Sequence, residues 1–153
     1  MSEDWKIELS RIEAICSRRE YAQKDIEEKL RLRNLDSQTI AKIINSLTEN
    51  RFIDNGRYAG AFARDKIHLS GWGRRKTEFA LKQKGISAEH ISQAFDTIDK
   101  NLAQKRMIEV LTNKERQLRN ELDLNKKREK LIKFALSRGY EYSQVNDLIR
   151  RMI

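Results

Sequence analysis

The feature that most constrains this chain is a four-residue apolar stripe that occurs three times at nearly constant spacing. Ile40, Ile43, Ile44 and Leu47 stand at i, i+3, i+4 and i+7, which places their side chains on one face of a helix with 3.6 residues per turn. The spacing returns 51 residues on, at Ile91, Ala94, Phe95 and Ile98, and a further 54 residues on, at Val145, Leu148, Ile149 and Met152. All twelve positions are apolar. One such stripe is ordinary in a helical protein, but three at matched offsets imply an internal repeat of about 50 residues.

The residues just before each stripe keep the same register. Asn34, Gly85 and Gly139 occupy corresponding places, and these residue types enter the left-handed conformation that ends a helix. Each is preceded by a cation, Arg33, Lys84 or Arg138, which suits the negative end of a helix dipole. Leu35, Ile86 and Tyr140 follow, placed to fold back on the helix just ended. Asp36 and Ser87 then stand as N-cap candidates for the striped helix, with Glu141 or Ser143 as weaker equivalents in the third copy.

Upstream of each break there is room for two more helices. Trp5, Leu9, Ile12 and Cys16 mark the first of these in copy one, and Tyr58, Ala59, Phe62 and Leu69 mark it in copy two. The expected organisation is three three-helix repeats, at residues 1–53, 54–100 and 101–153, the third opening with the longest and most charged helix. A unit of about 50 residues is near the lower limit for independent folding, so neighbouring repeats are expected to share buried contacts and to bend or hinge at their junctions. The chain has no proline and only 6 glycines, too little punctuation for a turn-rich β architecture. The fold class is therefore all-α, a tandem array of three three-helix repeats forming an elongated, curved molecule. A mean hydropathy of −0.78 is low enough to raise disorder, but the periodicity restricts that to the ends and the Arg119–Lys127 connection.

The single cysteine, Cys16, lies in an apolar-periodic segment and reads as a small buried hydrophobe, in keeping with a reducing compartment. No run approaches ~18 apolar residues, and the start, Met1-Ser2-Glu3-Asp4, is acidic before any apolar run. Neither a spanning helix nor a secretory signal is visible, and a cytoplasmic protein without a membrane partner is expected.

Catalytic groups are sparse. His68 and His90 are the only histidines, and neither has a Cys or carboxylate at metal-ligand spacing. Glu27-Glu28 and the scattered aspartates are flanked by Lys and Arg, as on solvated helix faces. No nucleophile–base pattern is present, so no enzyme activity, cofactor or metal is expected. Gly71-Trp72-Gly73-Arg74-Arg75-Lys76 has two readings. It is a helix-to-helix turn with Trp72 packed as a wedge, or a surface that meets an acidic partner or phosphate, either through cations or through backbone N–H groups at a helix start. The latter lacks the preceding strand of known nucleotide-binding loops.

The charge is uneven. The formal net charge is +9, and from Arg64 to Lys84 seven cations stand against two acids. Lys126-Lys127-Arg128, with Lys130 and Lys133, forms a second cluster, tempered by Glu129. Such faces often serve only solubility, but a field of this sign favours polyanions and gives salt-sensitive binding. No recognition helix with base-reading side chains is present, so single- or double-stranded DNA would be met through its backbone, without sequence specificity. The residues expected to meet partner or DNA backbone are Trp72, Arg74, Arg75, Lys76, Lys82 and Lys84, followed by Lys126, Lys127 and Arg128.

Taken in order, Phe52-Ile53-Asp54, Arg57-Tyr58-Ala59, Gly73, Leu81-Lys82-Gln83-Lys84-Gly85-Ile86 and Ser137-Arg138-Gly139-Tyr140 resemble the RecX family of bacterial recombination regulators. The likeness runs from about Arg18 to Ile153 and is strongest from Phe52 to Ile98. It implies an array of three-helix units that binds the RecA recombinase on its DNA filament, lodges in the filament groove, and inhibits ATPase and strand exchange. Recombination, DNA repair and the SOS response would thereby be modulated. It also implies DNA binding by the protein itself, and no catalytic residues. The sequence departs from the family pattern at Asn55, commonly acidic there, and at Tyr21-Ala22, where Tyr-Ser usually caps a helix. Loss of that cap should cost about 1 kcal/mol of local helix stability. A bent array has no obvious spare apolar face, so a monomer is expected. Two other readings remain open: a sequence-independent nucleic-acid-binding helical protein without a recombinase partner, and a helical adaptor that binds only protein.

Overall fold

The computed structural model describes residues 4–153; Met1, Ser2 and Glu3, on which the acidic start rests, lie outside the described residues. Those described form nine α-helices and no strand: α1 (Asp4–Cys16), α2 (Gln23–Arg31), α3 (Ser37–Glu49), α4 (Asn55–Arg64), α5 (Arg74–Gln83), α6 (Ala88–Asp96), α7 (Lys100–Gln117), α8 (Leu124–Ser137) and α9 (Tyr142–Met152). A π-helical turn, Asp65–Leu69, extends α4. The longest helix is α7, with 18 residues.

The three stripes lie on α3, α6 and α9. Ile43, Ile44 and Leu47, then Ile91, Ala94 and Phe95, then Val145, Leu148 and Ile149 are all buried. The breaks take the expected geometry, since Asn34, Gly85 and Gly139 have φ of 61°, 73° and 93°. At Gly85 and Gly139 two backbone bonds close the preceding helix: Gly85 N–H to Lys82 O with Ile86 N–H to Leu81 O, and Gly139 N–H to Leu136 O with Tyr140 N–H to Ala135 O. Ile86 and Tyr140 are thereby folded into the interior. The caps follow as well. Asp36 accepts from Thr39 N–H at 2.7 Å and Ser87 from His90 N–H at 3.2 Å, while Glu141 holds the cap position of α9 without a side-chain bond.

Three expectations fail locally. Ile98 lies beyond the end of α6, because Asp99 already caps α7 by accepting from Asn101 and Leu102 N–H. Leu69 is 72% exposed, since the i+5 bond from Ser70 N–H to Asp65 O widens the helix there and moves Leu69 off the phase set by Tyr58, Ala59 and Phe62. Cys16 is half-buried rather than enclosed, and burial pushes its thiol above the ordinary range, with Glu20 adding to the effect.

Contacts divide the chain into two compact units, one of residues up to Ala61 with Leu81–Asp96, the other of Phe62–Ala80 with Thr97–Ile153. In the first unit α1 and α2 pack on α3, and Ile12, Ile26, Leu30, Ile43 and Leu47 form its fully buried centre. Ala22 stands at the start of α2 without a capping side chain. Asn55 compensates, its Oδ1 accepting from Gln23 N–H at 2.9 Å, and Asp25 accepts from Ala22 N–H. The two departures from the family pattern thus meet at one helix start. Lys84 bonds Asp25 at 2.6 Å and Lys24 caps the Gln83 carbonyl at 2.9 Å, so α2 and the end of α5 are joined by charge. In the second unit α7, α8 and α9 enclose Met107, Leu111, Leu131, Val145 and Ile149, and the π-helical turn packs on α7.

Candidate nucleic-acid interface

In the second unit the segment Gly71–Gly73 makes a backbone crossing. Gly71 has φ of 72°, and its carbonyl accepts from the buried Tyr140 hydroxyl at 2.6 Å. Gly73 N–H donates to Arg138 O at 2.7 Å and Arg75 N–H to Gly139 O at 3.0 Å. A Cβ on Gly73 would stand 2.4 Å from the Gly139 carbonyl, and one on Gly139 would stand 2.4 Å from Lys76 N, so the two chains approach closer than any side chain allows. The start of α5 is therefore fixed by the end of α8. Trp72 N–H is also occupied, by Lys66 O at 2.9 Å, so three of the motif's N–H groups, on Trp72, Gly73 and Arg75, are turned to the protein's own carbonyls.

What the crossing presents outward is cationic. Arg74, Arg75 and Lys76 form the first turn of α5, at the positive end of its dipole, where cations weaken a helix rather than support it. Arg74 and Arg75 are exposed, and Arg75 reaches Glu141 only at 4.0 Å. The Trp72 ring, half-buried, collects two ammonium groups, Lys76 Nζ at 4.4 Å and Lys66 Nζ at 4.9 Å from its centroid, and meets Phe62 edge-on at 6.3 Å. Phe62 and Lys66 are the members that sequence reasoning did not single out for the site. Their signal was present: Phe62 and Lys66 are four residues apart on one helix face.

The other expected residues are placed differently. Lys82 and Lys84 fall in the first unit, Lys82 exposed in the last turn of α5. Lys84 is tied to Asp25, and that bond holds its amine above the ordinary lysine range. Lys126, Lys127 and Arg128 open α8. Lys126 is exposed, Arg128 leans on Asn125 Oδ1 at 3.4 Å, and Lys127 is sequestered, its side chain 13% exposed and bonded to Glu115 at 2.8 Å. Of the two histidines, His90 packs against Gly56, and no group of three or more His, Cys, Asp or Glu among the described residues is placed to hold a metal ion.

The description "RecX, second three-helix domain" matches residues 54–94 of this chain. Regulatory protein RecX of Clostridium botulinum strain Eklund 17B is 34% identical over 132 residues, covering 86% of this chain and 61% of the relative. That of Clostridium tetani is 28% identical, covering 86% and 60%. The crystal structure of RecX from Lactobacillus salivarius superposes with a TM-score of 0.85 at 20% identity, over 99% of this chain and 98% of that one. The chain is thus similar to RecX proteins over most of its length, and residues 54–94 match the second three-helix domain of that family. It spans about three fifths of the length of the clostridial RecX relatives it matches, and its helical fold is that of the solved RecX structure. No helix among the described residues is long and apolar enough to cross a membrane.

Proposed function

We propose that this chain is a RecX-family protein, a non-enzymatic regulator that binds the RecA filament on DNA, lies along it, and restrains the subunit movements needed for ATP turnover and strand exchange. Recombination and DNA repair, including the SOS response, would be modulated in consequence. In this reading the chain is cytoplasmic and monomeric, and its three repeats are residues 1–53, 54–100 and 101–153. The observation that carries the reading is the first turn of α5, where Arg74, Arg75 and Lys76 oppose the helix dipole and Lys76 lies over the Trp72 ring. Positive charge placed where it disfavours its own helix supports a function in meeting a polyanion. Lys126 and Arg128, in the same unit, supplement this surface, whereas Lys127 acts mainly by anchoring α8; in the first unit Lys82 is an exposed cation and Lys84 serves to join α2 to the end of α5.

The second reading, a general nucleic-acid binder without a recombinase partner, draws on the same charge. The two separate when the purified protein is added to RecA already assembled on saturating single-stranded DNA and ATP hydrolysis is followed. Substoichiometric inhibition is expected; inhibition confined to limiting DNA would transfer the function to competition for DNA.

A further inference from the structure

A second cationic feature of the second unit adjoins the α5 start through Ser70 and Arg138 and has the form of a cleft rather than a face. It encloses about 290 Å³ and opens between α7, the end of α8 and the residue after the π-helical turn, Ser70. α7 supplies Arg106, Asn113, Lys114 and Gln117, at spacings that keep one face of the helix. α8 supplies Phe134, and Arg138 follows at its C-cap. No acidic residue lines the cleft.

The three cations are held in place. Lys114 Nζ and Arg138 Cζ lie 5.1 and 5.3 Å from the centroid of the Phe134 ring, which pins both. Arg138 also donates to Ser70 O at 3.4 Å, and Arg106 donates to Leu69 O at 3.1 Å. Arg106 has an ion pair with Glu109, at 3.3 Å. Lys114 and Arg138 are half-buried and meet no carboxylate among the described residues. Charge withdrawn from water without a counter-ion is unfavourable unless an anion arrives to meet it. Two guanidinium groups, an ammonium and the side-chain amides of Asn113 and Gln117 offer many convergent donors, which suits a tetrahedral oxyanion better than a planar carboxylate.

We propose that this cleft binds the phosphate group of a nucleotide. Its three cations are already positioned, so little ordering of them opposes binding. The phosphate can come from a free nucleotide or from one unit of a nucleic-acid strand. The proposal stands independently of any recombinase partner.

The test is an amide-detected NMR titration of the full chain with dTMP, with the eight-nucleotide strand dT8, and with an acidic peptide of glutamates. Either nucleotide probe is expected to shift the side-chain amides of Asn113 and Gln117. Lys114→Gln should weaken that response about tenfold, the loss of one charge-assisted bond, while Lys100→Gln, at the exposed start of α7, leaves it unchanged. dT8 binding more tightly than dTMP assigns the cleft to a strand, and comparable binding assigns it to free nucleotides; both support the proposal. It is overturned if neither probe shifts Asn113 and Gln117, if Lys114→Gln binds as the wild type does, or if the acidic peptide alone fills the cleft. The Lys114 side chain holds no backbone carbonyl, so its variant keeps the fold where an Arg138 variant risks losing the contact to Ser70. Because the readout is confined to the cleft, its failure leaves the filament assay unaffected.

Discussion

The starts of α5 and α8 carry nearly the same sequence signature, Arg74-Arg75-Lys76 and Lys126-Lys127-Arg128, and the structure treats them in opposite ways. At α8 an aspartate caps the helix, Asp123 accepting from Asn125 and Lys126 N–H, and the cations behind it are absorbed: Lys127 by Glu115 and Lys130 by Glu121. At α5 the capping acceptors are neutral carbonyls of Arg138 and Gly139, and Arg75 reaches Glu141 only at 4.0 Å. In the α8 run Lys127 is therefore structural, whereas at α5 the first turn has no acidic residue of its own. The difference lies in what closes the helix, which composition does not reveal.

The largest effect is expected where the α5 start is built. Gly73→Ala places a Cβ 2.4 Å from the Gly139 backbone, which neither chain can relieve alone. A loss of at least about 3 kcal/mol is expected in urea unfolding. Gly56→Ala, whose nearest neighbour would be the His90 ring at 3.2 Å, serves as the contrast and should change stability far less. Next comes Trp72→Ala, which removes the ring beneath Lys66 and Lys76. Single-stranded DNA affinity should fall by about fivefold to thirtyfold, in line with one cation–π or stacking contact of ~1–2 kcal/mol. Unchanged affinity would make the tryptophan a packing residue only.

Lys127→Ala sharpens the contrast from the other side. It strands the half-buried Glu115 and should cost about 1–3 kcal/mol, whereas the exposed Lys126→Ala should stay within about 0.5 kcal/mol. The smallest effect is acid sensitivity. The bond from Lys130 holds the Glu121 carboxyl below the ordinary carboxylate range. Its stabilisation is complete above the unfolded value of ~4 and is lost as pH falls through the lower folded value. Thermal melts of Glu121→Gln should accordingly show a slightly shallower loss of stability below pH ~4 than the wild type.

The parts of the fold legible in sequence are those decided within a few residues. The stripes on α3, α6 and α9, the left-handed residues Asn34, Gly85 and Gly139, and the caps Asp36 and Ser87 depend only on local spacing and backbone preference. Arg51 also enters the left-handed region, at φ of 60°, without a residue type that announces it. The π-helical turn that exposes Leu69 is another local departure with no such marker. The candidate site was legible as composition but not as electrostatics. Whether Lys84, Lys127 or Lys76 carries surplus charge depends on Asp25, on Glu115 and on the ring of Trp72, and the first of these is 59 residues distant in the chain. The crossing of Gly73 with Gly139 is equally invisible, since it pairs residues whose separation no local rule connects.

The most direct test compares the salt dependence of single-stranded DNA binding for two charge reversals made in parallel, Arg74→Glu with Arg75→Glu and Lys76→Glu, and Lys126→Glu with Lys127→Glu and Arg128→Glu. Each lost phosphate contact lowers the slope of log K against log salt by about 0.7. For the α5 reversal we expect a slope shallower by about 2, and for the α8 reversal a smaller change accompanied by lost stability. Equal slopes for wild type and the α5 reversal, or a larger change from α8, would contradict the account.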